Sequence, residues 1–243
     1  MGAWYASATG HGLAWEDISG QNNHGTVDAT LSPACWTDSD NGWGIDLSGK
    51  HPAVSAADAP SLQCTAGFTV TTRWRLDTYQ RYTGIYKGLS AINRNYNYRI
   101  CGENTGYTIG ACSASTEYWV NTGIAISYGS WETVTLTGDG TILRFYVNGA
   151  HKASKAAAGP YDGFAGYSLK IAGGTYSGSL FDGAIEYTLI YDRALDAEDV
   201  KRLCHEPYGH VWVPGLRSTW WFSAAAASSI PAIAAHYRKL RSA

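Results

Sequence analysis

The side chains best suited to binding chemistry are concentrated between Tyr79 and Arg99. Tyrosines there alternate with asparagines and arginines, which offer flat stacking faces and planar hydrogen-bonding groups. Two interpretations are open. In the first, which we favour, the tyrosines are buried strand residues and the polar residues form a hairpin loop. In the second, part of the segment is an exposed contact surface, for which we expect Arg81, Tyr82, Arg94, Asn95 and Tyr96.

Acidic and histidine side chains are present, but their spacing does not match hydrolytic chemistry. Glu16 and Asp17 are adjacent, so they face opposite ways in an extended chain, and Glu186 stands alone on its predicted strand. No G-x-S-x-G turn accompanies the 7 scattered histidines. We therefore expect a protein without enzymatic activity. A pair of carboxylates brought together in a cleft would overturn this expectation.

Charge and cysteine content exclude several classes of partner. The chain carries 18 Lys and Arg against 20 Asp and Glu, so no strong positive field would attract nucleic acid. No apolar run reaches the roughly 18 residues of a membrane-spanning helix. The 5 cysteines lack metal-ligand spacing and indicate buried reduced thiols, with Cys101 and Cys112 as the one plausible disulfide pair.

The elements that position these residues are predicted to be strands. The chain has 17 Tyr, 10 Trp and 28 Gly, a composition typical of pleated sheets joined by tight turns. Apolar and polar residues alternate over 68–76, 167–171 and 185–191, and Asn148-Gly149 predicts a two-residue hairpin turn. In 185–191 we expect Ile185, Tyr187, Leu189 and Tyr191 to share one face. Shorter strands are predicted at 84–86, 96–101, 107–111, 124–127 and 131–136.

One helix is predicted after the last of these strands. Asp196 is a good N-cap with Asp199 three residues later, and Leu195 can pack on Val200 as a hydrophobic staple. The helix must end before Pro207. We therefore expect an all-β sandwich with one short helix near its end.

The composition changes after about Gly215, which suggests a sandwich over 1–215 and a tail over 216–243. The spacing of apolar residues near the end predicts a short amphipathic helix. The tail docks either on its own sandwich or on an adjacent subunit of an assembly, since exposed aromatic residues would otherwise promote association. Its candidate docking residues are Trp220, Trp221, Phe222, Ile230, Ile233, Tyr237 and Leu240.

Three stretches together resemble the laminin G-like modules of the concanavalin A-like lectin/glucanase superfamily. The first, 15–27, is similar to the family's D-x-S-G-x-x-N-x-G opening. The second, 43–49, is similar to a strand ending in F-D-G, with Leu47 and Ser48 replacing Phe and Asp. The third, 181–200, is close to the family's F-D-G-x-I-D-E ending and its I-Y-x-R-A-L helix entry.

The resemblance implies a jelly-roll sandwich of two antiparallel sheets with about six or seven strands each. Loops at one rim usually carry function in such a scaffold. Glucanases of the superfamily carry E-x-D-x-x-E on one strand, and this sequence lacks it. Laminin G-like modules often bind calcium, which here would involve Asp17, Asp46 and Asp182; we favour turn and capping roles for these residues, and no cofactor is required.

The functional expectation is a non-enzymatic structural and recognition module, namely a bacteriophage virion protein that decorates the capsid or belongs to a fibre. Its partners would be other virion subunits, further copies of itself and cell-surface glycans. We see no secretory signal at the start of the chain, which fits manufacture in the host cytoplasm and a place on the virion surface. The alternative is a carbohydrate-binding lectin module of a cell-surface or secreted protein.

Overall fold

Two antiparallel sheets packed face to face form the protein, as a computed structural model shows. The structure describes residues 2–5, 14–27, 36–39, 42–47, 54–78, 83–89, 96–103, 106–114, 116–173 and 181–207. The predicted all-β sandwich is confirmed. Each sheet has 8 strands, so the six or seven implied by the resemblance is an underestimate.

The strands described in the structure are β1 (Gly2–Tyr5), β2 (Ala14–Trp15), β3 (Gly25–Val27), β4 (Trp36–Ser39), β5 (Gly42–Asp46), β6 (Val54–Ala56), β7 (Phe68–Leu76), β8 (Thr83–Gly88), β9 (Tyr96–Glu103), β10 (Gly106–Ser113), β11 (Thr116–Asn121), β12 (Trp131–Gly138), β13 (Ile142–Val147), β14 (Ala150–Ala156), β15 (Leu169–Gly173) and β16 (Gly183–Tyr191). The first sheet has the order β14-β13-β12-β7-β16-β5-β4, with β1 also pairing with β16. The second sheet has the order β11-β10-β9-β8-β15-β6-β3-β2.

Aromatic side chains dominate the core between the sheets. Trp74 from the first sheet stacks on Tyr107 from the second, with ring centroids 6.2 Å apart and an 11° angle between planes. Phe68 packs against Tyr98 at 5.3 Å, and Tyr107 against Phe145 at the same distance. The alternation predicted for β7 therefore places its apolar side chains in the core.

The predicted hairpin and one predicted face have different outcomes. Asn148 and Gly149 take φ values of 51° and 76°, as the two-residue turn requires. In β16 the register with β7 shifts between Ile185 and Tyr187. This bulge leaves Ile185 in the core and turns Tyr187 to the outer face, so the prediction that the two share one face is wrong.

Helix α1 (Ala197–His205) covers part of the outer face of the first sheet. The Asp196 side chain accepts a hydrogen bond from the Asp199 amide at 2.8 Å, which confirms the predicted N-cap. Thr69 on β7 fixes the entry to the helix, because its hydroxyl donates to the Arg193 carbonyl and accepts from the Leu195 amide, both at 2.8 Å.

The remaining predictions concern two strands, a membrane-spanning helix and the tail. The segment 124–127 forms no strand, and β15 begins at Leu169, so Tyr167 precedes it. No described helix is long and apolar enough to cross a membrane. The tail 216–243 lies outside the described residues, and with it Trp220, Trp221, Phe222, Ile230, Ile233, Tyr237 and Leu240.

The cysteines that the structure describes are free thiols, in agreement with the favoured prediction. Cys101 lies opposite Thr108, whereas Cys112 lies four residues further along the same strand, β10. Four residues of strand span about 13 Å, and a disulfide needs Cα atoms less than about 7 Å apart. The possible pairing of Cys101 with Cys112 is therefore wrong.

Candidate functional site

Two exposed aromatic side chains are linked to one buried cluster on the outer face of the second sheet. Among the described residues, four large hydrophobic side chains are exposed: Leu89 (60%), Trp119 (48%), Tyr128 (43%) and Tyr167 (40%). The buried group, which we call the outer aromatic cluster, is formed by Tyr86, Tyr96, Cys101 and Cys112. Trp119 is linked to it through Arg99, and Tyr167 through Phe164.

A bulge in β9 creates this cluster. Tyr86 on β8 pairs with Arg99, but Gly88 pairs with Tyr96, so β9 has one extra residue between these pairs. Side chains beyond an extra residue change face. Tyr98 therefore points into the core between the sheets, whereas Tyr96 points outward with Arg99.

The Tyr96 ring lies across Gly110 on the neighbouring strand β10. Its hydroxyl donates to Glu117 Oε1 on β11 at 2.6 Å. A Cβ atom at position 110 would lie 2.5 Å from that hydroxyl oxygen, so only glycine fits beneath it. Burial raises the pKa of Tyr96 well above its ordinary value, and the hydrogen bond to Glu117 acts in the same direction. The hydroxyl is therefore a permanent donor.

Arg99 connects this ring to the exposed indole of Trp119. Gly110 pairs with Arg99 on one side and with Trp119 on the other, so the two side chains meet across a residue that has none. The Arg99 Cζ atom lies 5.0 Å from the Tyr96 ring centroid and 5.9 Å from that of Trp119. These cation–π contacts orient Trp119 while leaving about half of it exposed.

A loop at the end of the second sheet supplies the other side of the surface. We call residues 162–168 the rim loop. Phe164 packs on the outer aromatic cluster, and its ring centroid is 6.2 Å from that of Tyr167. The Gly88 amide donates to the Ser168 carbonyl at 3.4 Å, so β8 ends beside the loop, and the exposed Leu89 follows Gly88 in the chain. We call Leu89, Trp119, Phe164 and Tyr167 the recognition surface.

The predicted contact residues have a mixed outcome. Tyr96 is fully buried, so the prediction that it is exposed is wrong, because the bulge places its ring beneath the rim loop. The favoured interpretation of buried strand tyrosines is confirmed for Tyr96 and Tyr98. The other predicted contacts lie outside the described residues and stay predictions: Arg81, Tyr82, Arg94 and Asn95.

Sequence reasoning missed Trp119 and the rim loop. A signal for Trp119 exists, since Glu117 and Trp119 alternate with Tyr118 and Val120 over β11. That alternation puts an indole on the polar face of a strand. Phe164 and Tyr167 have no such signal, because they lie in a loop.

Asp17, Asp46 and Asp182 are not brought to one site. Asp17 bridges to Trp4, which lies opposite Thr188, whereas Asp46 lies opposite Ala184 on the same strand. Four residues of strand correspond to about 13 Å. The three carboxylates therefore do not meet at one point, and calcium binding stays a prediction. Among the described residues no three His, Cys, Asp or Glu side chains could hold a metal ion.

The carboxylate of Asp17 organises a turn, as the favoured interpretation predicted. It accepts hydrogen bonds from the amide and hydroxyl of Ser19 and from the amide of Asn23, each at 2.9 Å. Asp182 accepts from the hydroxyl of Thr78. Both carboxylates therefore have hydrogen-bond partners within the protein.

The two carboxylates described on the outer face of the second sheet do not form a hydrolytic pair. Glu103 lies opposite Gly106 and Glu117 opposite Cys112, six residues apart along β10. That separation is about 20 Å, whereas the two carboxyl groups of glycosidases are about 5–9.5 Å apart. The arrangement offers aromatic faces and hydrogen-bonding groups for binding.

These features define a two-sheet jelly-roll sandwich with an aromatic surface beside one rim. A laminin G profile of the concanavalin A-like lectin/glucanases superfamily matches residues 48–201. The chain therefore belongs to this superfamily, which confirms the resemblance seen in the sequence motifs. No curated protein sequence matches the chain.

Solved structures share the fold at low sequence identity. The binding domain of Paraclostridial mosquitocidal protein 1 is 15% identical with a TM-score of 0.65, covering 85% of this chain and 52% of that one. Domain 4 of AbnA, an arabinanase from Geobacillus stearothermophilus in complex with arabinotriose, is 18% identical with a TM-score of 0.61, covering 84% and 100%. A Trypanosoma rangeli sialidase in complex with sialic acid is 15% identical with a TM-score of 0.59, covering 85% and 32%.

At these identities the likeness establishes the fold. The chain spans about half of the mosquitocidal binding domain and about a third of the sialidase. Toxin binding domains are among these neighbours, and other neighbours belong to enzymes.

Proposed function

We propose that this chain is a non-enzymatic recognition module that binds a carbohydrate through its recognition surface. The observation that carries the proposal is that the exposed rings of Trp119 and Tyr167 are both linked to one buried cluster. Exposed apolar side chains scattered singly are ordinary, but a group of them marks an interaction site. This group includes aromatic rings held in place by buried neighbours.

The chemistry of the surface suits a sugar. The apolar face of a pyranose or furanose ring can pack on Trp119 or Tyr167, and its hydroxyls can bond to polar groups at the edge, as aromatic side chains with polar neighbours allow. Glu117 is such a group, since it is half-buried and lies two residues from Trp119. Domain 4 of AbnA, in complex with arabinotriose, supports the proposal through its shared fold.

The test compares two exposed aromatic residues. Trp119→Ala removes the central ring of the surface, whereas Tyr128→Ala removes a ring of similar exposure away from the outer aromatic cluster. Calorimetric titration with a panel of three sugars, arabinotriose, sialyllactose and cellotriose, measures the Kd of each. We expect at least one sugar to bind and Trp119→Ala to weaken it about tenfold, a change of about 1.4 kcal/mol. Equal effects of the two substitutions would contradict the proposal.

We further propose that the module works on a bacteriophage particle, as a capsid decoration or fibre protein. Support for this finer assignment comes from the sequence of the tail, whose aromatic and apolar residues suit docking on another subunit. Light scattering after size exclusion tests it with the whole chain and with a version ending at Gly215. An oligomer that becomes a monomer on truncation would support the assembly role, whereas two monomers would favour a lectin module of a cell-surface or secreted protein.

A further inference from the structure

We propose that Lys87 and Asp58 are positioning residues of the recognition surface, because this buried ion pair holds the rim loop in one conformation. The consequence for ligand affinity rests on the proposed carbohydrate-binding function. The consequence for the loop itself does not, and it can be measured on the free protein.

Lys87 is buried completely, although lysine is seldom buried without partners. Its ammonium group donates to the Phe164 carbonyl at 2.9 Å and to the Tyr167 carbonyl. It also forms an ion pair with Asp58 Oδ1 at 2.8 Å. The three N–H donors of one lysine can thus be directed at three oxygens, two of which belong to the rim loop.

Asp58 contacts the same loop from the other side. Its second carboxylate oxygen accepts the Gly166 amide at 2.6 Å and the Gln63 side-chain amide at 3.0 Å. The Lys87–Asp58 pair therefore binds two carbonyls and one amide within the four residues Phe164–Tyr167.

The loop needs such support because its backbone is unusual. Phe164 has a φ of 48° and Gly166 a φ of 85°. A non-glycine residue in the left-handed region is disfavoured and persists where surrounding contacts fix it. The pair fixes the two residues whose rings form one side of the recognition surface, so less conformational entropy would be lost when a ligand binds.

The experiment uses the whole chain with Lys87→Met, with Asp58→Asn and with both substitutions. Lys170→Met is the matched control, since Lys170 is half-buried on the same sheet and donates to Ser55 at 2.9 Å, away from the loop. Hydrogen–deuterium exchange of residues 162–168 is measured for each protein. Circular dichroism shows which variants fold. If Lys87→Met does not fold, Asp58→Asn serves as the milder variant, because Asp58 is partly exposed.

We expect loop amides to exchange about tenfold faster in Asp58→Asn and Lys87→Met, with β9 and β10 unchanged, and the double variant to add little to either single one. Lys170→Met should leave the loop at its original rate. Unchanged loop exchange in a folded Asp58→Asn variant would overturn the proposal. So would additive effects in the double variant, because two unconnected structural residues would act independently.

The affinity arm uses the panel sugar that binds best in the calorimetric titration. Both variants should raise its Kd about fivefold, a change of about 1 kcal/mol. Faster loop exchange with unchanged Kd would overturn the positioning role. An unchanged Kd in Trp119→Ala would instead refute the carbohydrate-binding function, and loop exchange would still decide whether the pair holds the loop.

Discussion

Replacing Gly110 by alanine tests the packing beneath the outer aromatic cluster. The added Cβ would lie 2.5 Å from the Tyr96 hydroxyl oxygen, 3.0 Å from the Tyr118 carbonyl and 3.1 Å from the Trp119 Cβ. The tyrosine must move, and the ring is buried under the rim loop. Forcing extra volume into such a site costs about 1–3 kcal/mol.

The displaced hydroxyl would also weaken its 2.6 Å bond to Glu117, and bonds to charged groups contribute about 1.5–3 kcal/mol. The bond is weakened and not lost, so counting about 1 kcal/mol for it together with the packing cost predicts a loss of about 2–4 kcal/mol of unfolding free energy. Tyr96→Phe removes the clashing oxygen. In that background Gly110→Ala should therefore lower the free energy of unfolding by at least about 1 kcal/mol less than it does in the original protein. Urea unfolding of the original protein, the two single variants and the double variant measures this double-mutant cycle. An equal cost of Gly110→Ala in both backgrounds would refute the packing described for Tyr96.

Three further predictions concern pH, thiol reactivity and calcium. Burial alone would raise the pKa of Asp58, but its hydrogen bonds, led by the one from Lys87, lower it below the ordinary value. A carboxyl with a depressed folded pKa stabilises above its unfolded pKa of about 3.9 and loses that contribution as pH falls through the folded value. Protection of the rim-loop amides, taken relative to their intrinsic exchange rate at each pH, should therefore fall below about pH 4, and the loop of Asp58→Asn should show no such step. Burial raises the pKa of Cys101 and of Cys112 to about 12, so Ellman's reagent at pH 8 should react with these thiols only after unfolding, and fast reaction of the folded protein would contradict their burial. Calcium or EDTA should leave the Tm unchanged, because among the described residues no three His, Cys, Asp or Glu side chains could hold a metal ion; a rise of several degrees with calcium would show a site that the described residues do not form.

Local signals in the sequence predict much of the fold. The Asn148-Gly149 turn and the Asp196 cap depend on residues within four positions, so their chemistry can be read directly. The alternation over 68–76 likewise depends only on which face of β7 is buried. The family motifs then place these elements in a sandwich, which the profile over 48–201 confirms.

The candidate site was less predictable because a bulge and a distant ion pair shape it. One extra residue near Asn97 turns Tyr96 outward, and the register that requires it is set by β8. Nothing around Lys87 in the sequence indicates burial, since its partners Phe164 and Tyr167 are about 80 positions away. Long-range contacts of this kind leave no periodic pattern in the chain.

The most direct test of carbohydrate recognition locates the bound sugar. Titrating the isotopically labelled protein with the panel sugar that binds best, and following the indole N–H signals of the 10 tryptophans by NMR, reports each ring separately. Trp119→Phe assigns the signal of residue 119. Carbohydrate binding at the recognition surface predicts the largest shift at Trp119, with the buried indole of Trp74 nearly unchanged. The largest shift at a tryptophan of the opposite sheet, such as Trp131 on β12, would contradict it.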